Sequence, residues 1–355
     1  VAAILRILSH PTTRIVFLIN KTERPTLKLP KSLTTKTFGV LAVAVVIYAA
    51  VTLFVGWDEL SKEFNKMSAN ILVGVTLLSF LNYGLRFWRW EIYLRSAGAS
   101  IPWRESLKLY FATYLMVITP GKIGEALKAS IIHEHYGHSL SRGLPVVIAE
   151  RITDFLAVLV LCAIGIFFWP GSFAGLNTGL MAAATLPILL TLFQWKPVRT
   201  RVLAKVAGSP LLKKYQVRLD ESSETLSVLL GLKIGGPALA ISIVAWLAEC
   251  MGLWLVCYGL DFQIPVGQSI FIYTVGTIVG SLSMLPGGIG GTEAVLIWLL
   301  QSLDMSGATA ATAALLIRMF TLWLAVLVGI VFYMASRPMF SSNPDLERQK
   351  VNRPE

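Results

Sequence analysis

Apolar residues run along this chain in long blocks, without the strict alternation of a half-buried strand. Six blocks are uninterrupted: residues 37–56, 70–94, 144–169, 174–194, 236–258 and 308–334. A helix of about 20 apolar residues crosses the hydrocarbon core of a bilayer, so each block predicts a span. Two further blocks, 106–132 and 268–303, break near their middles at Pro120-Gly121 and Pro286-Gly287-Gly288. Proline and glycine end helices. Each broken block therefore predicts a helix, a turn and a second short helix. The expected fold class is all-α: a polytopic integral membrane protein of about six transmembrane helices with two re-entrant broken-helix hairpins.

Composition agrees with this pattern and charge orients it. Of 355 residues, 55% are apolar and 14% charged, against about 45–50% and about 25% in soluble domains. An ordinary soluble enzyme and a disordered tail are both excluded. The 31 Lys and Arg exceed the 20 Asp and Glu, for a net charge of +11. In a soluble chain that excess would raise nucleic acid as a partner. In a membrane chain basic residues collect in cytoplasmic loops. Most of the excess lies in residues 1–36 and 195–235, which face an anionic inner leaflet on this reading. Nucleic acid is not an expected partner.

If block 106–132 crossed fully, segment 195–235 would fall outside, against the positive-inside rule. A hairpin that enters and returns on the cytoplasmic side restores agreement. The second hairpin then dips in from outside, and both termini are cytoplasmic. The expected organisation is a cytoplasmic or interfacial segment 1–36, a transmembrane domain 37–335 and a tail 336–355. The domain holds repeat one at 70–169, an amphipathic linker at 195–235 and repeat two at 236–334.

The repeats are legible in the residues. Pro120-Gly121-Lys122-Ile123-Gly124 aligns with Pro286-Gly287-Gly288-Ile289-Gly290, and Glu125 and Glu293 follow. Arg151 stands 31 positions after Pro120, and Arg318 stands 32 after Pro286. Leu156-Ala157-Val158-Leu159-Val160 then matches Leu324-Ala325-Val326-Leu327-Val328. On the topology above the copies enter from opposite sides. Paired broken helices in inverted halves point to a transport site near the bilayer midplane. The plainer alternative makes both breaks packing kinks.

A helix that starts after Pro-Gly offers unpaired N–H groups and the positive end of its dipole. Glycine lets an anion approach the backbone. The candidate substrate-binding residues at the breaks are therefore Pro120, Gly121, Lys122, Gly124 and Glu125, with Pro286, Gly287, Gly288, Gly290, Thr292 and Glu293. A phosphate or carboxylate is the expected ligand. There is no Gly-x-x-x-x-Gly-Lys-Ser/Thr, so ATP is not implied. No cofactor is expected.

Arg151, Asp154 and Arg318 lie inside spans, where a charge costs roughly 2.5–3.5 kcal/mol on insertion scales. They join the candidate site or brace the turns. Arg151 and Asp154 are three apart and share a helix face. Glu249 is a candidate coupling carboxylate. Arg86 and Arg89 close the second span beside Trp88 and Trp90; interfacial anchoring is the first reading, receipt of lipid headgroups the second. His133, His135 and His138 read as loop histidines, and no metal is expected. Cys162, Cys250 and Cys257 read as small apolar-environment residues. No Ser-His-Asp order or other catalytic set is visible.

Together, Thr119-Pro120-Gly121-Lys122-Ile123-Gly124-Glu125, Glu150-Arg151 with Asp154, and Leu285-Pro286-Gly287-Gly288-Ile289-Gly290-Gly291-Thr292-Glu293 resemble the lysylphosphatidylglycerol synthase transmembrane-region family. That family includes the flippase half of the bacterial multiple peptide resistance factor. The resemblance runs from the first span to the last. It implies a module that moves a polar-headed lipid between leaflets of a prokaryotic cytoplasmic membrane. It also implies that both Pro-Gly turns, with Arg151 and Arg318, surround a central cavity. The expected partners are membrane lipids with an anionic or lipid-linked headgroup, and a homo-oligomer is a further expectation. The chain runs only about twenty residues past its last span, so lysyl transfer is not expected of it. The alternatives are a membrane-embedded headgroup transferase using Glu125, Glu150 or Asp154, a small-solute transporter, and a non-catalytic subunit of a lipid-synthesis complex.

Overall fold

The computed structural model describes residues 57–119, 125–170 and 216–336, with 194, 196–198, 200 and 201. The predicted span 37–56, nearly all of 174–194, segment 1–36, most of linker positions 195–215 and tail residues 337–355 lie outside the described residues. So do Pro120, Gly121, Lys122 and Gly124.

The first half comprises α1 (Trp57–Asn65), α2 (Ala69–Ser96), α3 (Trp103–Ala112) with a 3-10 turn (Thr113–Met116), α4 (Leu127–Tyr136) and α5 (Leu140–Gly165), which ends in a 3-10 turn (Ile166–Phe168). The second half comprises α6 (Gln216–Leu230), α7 (Leu232–Gly259), α8 (Val266–Leu282), a tight turn (Pro286–Gly288), α9 (Gly291–Gln301), α10 (Gly307–Arg318), a π turn (Met319–Trp323) and α11 (Leu324–Ala335). No strand occurs among the described residues. Also among the described residues, four helices are long and apolar enough to span: Ala69–Ser96 and Leu232–Gly259 at 28 residues each, Leu140–Phe168 and Gly307–Ala335 at 29 each. They coincide with four of the six predicted spans, and the Pro286–Gly288 turn separates α8 from the shorter α9 as expected.

The internal repeat extends to the backbone. Pro102 and Pro265 occupy the N-caps of α3 and α8, each with extended ψ. Their fixed φ and missing N–H suit a helix start. Gly98 and Asp261 both take positive φ, 66° and 59°, in the connections leading to those helices. Gly137 and Asp304 do so again at 73° and 65°, before Ser139 and Ser306 cap α5 and α10. The π turn explains a misfit in the alignment. Leu324 follows Arg318 by six positions, whereas Leu156 follows Arg151 by five. A π turn absorbs one extra residue without ending the helix.

The equivalent helices α2 and α7 pack together along the centre of the fold. Met67 and Ile71 meet Gly259, and Gly74 meets Leu255. Asn82 Nδ2 donates to the Ala245 carbonyl at 2.8 Å, and Arg89 reaches Ser242. Numbers rise on one helix as they fall on the other, so the pair is antiparallel. This is what an inverted repeat requires.

The halves also interlock. α3 and its 3-10 turn lie on α11, and α8 lies on α5. Each packs on the last helix of the opposite half. Gly329 and Gly165 permit the close approach: an added Cβ would sit 2.3 Å from Leu115 N and 2.6 Å from Phe271 N. Small residues serve this purpose between membrane helices generally. Two large apolar clusters fill the ends of the bundle. A small third cluster, Ile118, Ile289, Leu322 and Val326, links the approach to the first break with the second. The predicted amphipathic linker helix is α6. It buries Leu229 against the body of the protein, where it contacts α5 and α7.

Candidate functional site

Periodicity brings the charges together. Arg86 and Arg89 are three apart on α2; Glu150, Arg151 and Asp154 share a stretch of α5. Asp154 takes Arg86 Nη2 at 3.0 Å, Arg151 Nη2 at 3.3 Å and an Nη1 contact from Arg89. The Trp246 ring N–H also donates to it at 3.1 Å. Arg151 Nη2 reaches Glu125 at 3.0 Å. Lys128, on α4, reaches Glu150 at 3.3 Å and Glu125 at 3.8 Å. Its ammonium lies over Tyr110 and Trp90, 4.3 and 4.9 Å from the ring centroids, where a desolvated cation gains from the ring quadrupole.

Arg86 and Arg89 are not interfacial anchors. Both are buried, Arg89 completely, because the carboxylates of α5 draw the guanidinium groups inward. The neighbouring Trp88 remains exposed.

The second half repeats the central pair. Arg318 Nε donates to Glu293 Oε1 at 2.8 Å, as Arg151 does to Glu125. Residues matched by the sequence repeat thus form equivalent ion pairs. Arg318 Nη2 also donates to the Gly287 carbonyl, bracing the break. Gly287 and Gly288 take φ of 61° and 68° in that turn, a region costly for most other residues.

The anion cradle expected at this break is partly filled from within. Gly290 N–H donates to Glu293 Oε2 at 2.7 Å, while Gly288 and Ile289 N–H bond to Leu285 and Pro286 carbonyls. The positive end of α9 already holds the protein's own carboxylate. The sign of this in the sequence is the capping-box interval, Glu293 standing three positions after the N-cap Gly290.

A cavity of about 480 Å³ lies between the halves. Of the predicted site residues, Arg86, Arg151, Asp154, Glu249, Gly287, Gly288, Thr292 and Arg318 line it. Arg89 stands behind Asp154, and Glu125 and Glu293 stand behind their arginines, none of them on the cavity wall. Pro286 and Gly290 shape the turn without lining the cavity. Tyr83, Tyr114, Trp246 and Tyr273 also line it, and the sequence reading had missed them. Tyr273 donates to Glu249. Tyr83 donates to the Phe320 and Thr321 carbonyls, at 3.3 and 2.9 Å, within the π turn. The missed signal was in the repeat. Aligning Pro102 with Pro265, a register three positions shorter than that of the two breaks, sets Arg86 opposite Glu249 and Tyr110 opposite Tyr273.

Among the described residues, this set holds the buried cations Arg86, Arg89, Lys128 and Arg318, the half-buried Arg151, and the buried carboxylates Glu125, Glu150, Asp154, Glu249 and Glu293. The signs balance, which limits the cost of burying them. The histidines serve the scaffold: His133 Nδ1 pairs with the His138 carbonyl at 2.7 Å and His138 Nε2 with that of Ser100 at 3.0 Å. At the base of the first hairpin, Tyr136 donates to Glu105, and burial raises the tyrosine's phenol above its ordinary range. Half-buried Glu134 is raised by burial to about 7.

A family model described as the lysylphosphatidylglycerol synthase TM region matches residues 39–329 of this chain. Among relatives, two UPF0104 membrane proteins of Methanothermobacter thermautotrophicus are 22% identical over 333 residues and 24% over 326. These alignments cover 85% and 84% of this chain, and 95% and 92% of the relatives. A UPF0104 membrane protein of Pyrococcus horikoshii is 23% identical over 328 residues, covering 84% of this chain and 98% of its own.

Proposed function

The chain belongs to the lysylphosphatidylglycerol synthase TM region family, and from that premise we propose that it is a translocase of membrane lipids or lipid-linked glycans. One observation carries the reading. Arg151 and Arg318, equivalent residues of two antiparallel halves, line the same cavity between those halves. Inverted repeats with broken helices form such midplane sites in transporters.

On this reading an anionic headgroup leaves one leaflet and enters the cavity. Its phosphate or carboxylate competes with Asp154 for Arg151 and with Glu293 for Arg318. Charge-assisted bonds of this kind are roughly twice as strong as neutral ones. Side chains, more than open N–H groups of the second break, supply the recognition, because Glu293 occupies Gly290 N–H. The wall itself carries Arg86, Arg151 and Arg318 against Asp154 and Glu249, which favours a headgroup with one anionic group over a multiply charged one. Glu249, bonded to Tyr273 on the cavity wall, is the carboxylate placed to exchange a coupling ion.

Simple rocking of intact halves fits the interlocked packing poorly. α3 would have to part from α11, and α8 from α5. Movement of α3 together with α11, or of α8 together with α5, against the central α2–α7 pair would keep those contacts. The hairpins are re-entrant on this reading, the protein sits in the cytoplasmic membrane, and both termini face the cytoplasm.

The test is lipid translocation in reconstituted vesicles. Wild-type protein should move a phosphate-headed lipid between leaflets, and the Arg151→Ala/Arg318→Ala variant should not. Equal inactivity of the two across candidate lipids would remove the support.

A further inference from the structure

The two breaks align at their prolines, yet their approaches have opposite surroundings. Met116 and Ile118 precede Pro120 by four and two positions and are 8% and 0% exposed. Leu282 and Met284 precede Pro286 by the same intervals and are 68% and 59% exposed. Leu285 beside them is 45% exposed. All three exposed residues also line the cavity that contains Arg151 and Arg318. The cavity wall therefore continues onto the outer surface at this shoulder. Met284 takes φ 54°, which few residues other than glycine adopt. The turn at Met284 is adopted at a conformational cost.

We propose that this shoulder is a lateral portal that binds the hydrocarbon chain of one phospholipid. The chain lies over Leu282, Met284 and Leu285 while the phosphate seats between Arg151 and Arg318. The inference deepens the translocase reading and rests on it for a lipid occupant. An amphiphile matches the continuity of arginine-bearing wall and apolar shoulder; a water-soluble solute would leave the shoulder unused. The cavity has the volume of a small-molecule site, enough for a headgroup, so the chains must run outside it. In the first approach Met116 and Ile118 are buried, while Val117 and Thr119 line the cavity from the inside. The structure is thus open on one side of an inverted pair, and the opposite state would expose the first approach and bury the second.

Photolabelling tests the portal. Wild-type protein is placed in phosphatidylethanolamine vesicles containing phosphatidylglycerol with a diazirine late in one chain. A second set carries the same diazirine on diacylglycerol, which lacks the phosphate. After illumination, labelled residues are mapped by mass spectrometry. With phosphatidylglycerol, labelling at Leu282, Met284 and Leu285 should saturate as the probe fraction rises. At Leu77 and Val331, which are 63% and 64% exposed away from the cavity, it should rise in proportion. Diacylglycerol should label every site only in proportion. Arg151→Ala, checked for folding by thermal unfolding, should weaken the saturable component about tenfold and leave Leu77 unchanged. Proportional labelling at the shoulder, or a saturable component independent of the phosphate, would overturn the proposal. Translocation of the same phosphatidylglycerol is followed in parallel. Saturable labelling without translocation keeps the portal and refutes the translocase; translocation with only proportional labelling does the reverse.

Discussion

Arg318 shows how much one buried residue carries. It holds Glu293 by an ion pair and the break by the Gly287 carbonyl. Removing one partner of a buried pair leaves the other charge uncompensated, at a cost of about 3–5 kcal/mol. Arg318→Ala should therefore lower stability in detergent by about that much, read by thermal unfolding. The double variant Arg318→Met/Glu293→Gln should recover most of the loss, because no charge is then stranded. If the double variant is no more stable than the single one, the pair is not what holds the break. Asp154 makes a second case. It neutralises three arginines, so Asp154→Asn should destabilise the protein by a similar amount. Thr321→Ala, at the equivalent place in the other half, should cost less than about 1.5 kcal/mol.

At the scale of elements, hairpin helices depend on what they touch in the opposite half. Gly329 faces the backbone at Leu115, where a Cβ would overlap. Overpacking costs typically 1–3 kcal/mol, so Gly329→Leu should lower the unfolding temperature. Gly84→Leu should not, since nothing lies within 4 Å of a Cβ there. The π turn sets the register of α11. Deleting Phe320 would rotate everything after it by about 100°, turning Gly329 away from Leu115. That variant should fail to yield a monodisperse protein. At the base of the first hairpin, Glu134 supplies a pH dependence. Its carboxyl is raised from 4.5 to about 7, so the folded state favours its protonated form. The resulting stability is complete below about pH 4.5 and is lost as pH rises through about 7. Glu134→Gln should flatten that part of the profile and leave the variant more stable than wild type above pH 7.

For the whole molecule, interlocking decides how it assembles. Because α3 packs on α11 and α8 on α5, neither half completes its own packing. Split between the halves, the two fragments should co-purify when expressed together and aggregate when expressed apart. Independent folding of either would contradict the interlock. The inverted topology makes a separate prediction. Gly137 ends the first hairpin and Asp304 the second. Single cysteines at these positions should react with membrane-impermeant reagents from opposite sides, Gly137→Cys from the cytoplasm and Asp304→Cys from outside.

The sequence by itself determined the class of the molecule, because crossing a bilayer demands long apolar helices that a chain cannot conceal. It also determined the two breaks and the Arg151–Arg318 correspondence, because a repeat preserves residue order whatever the fold. Tertiary structure alone decided which of those charges face the cavity. Arg86 and Arg89 read as interfacial until α5 set Asp154 and Glu150 beside them. Lys128 gave no sign of its role before α4 brought it to two aromatic rings. Glu293, a candidate by its place after the break, accepts from Gly290 N–H and from Arg318 in the fold. Order along the chain fixes which groups exist and how they repeat. Which of them neutralise one another depends on distances between helices far apart in sequence, and a buried charge is defined by those distances.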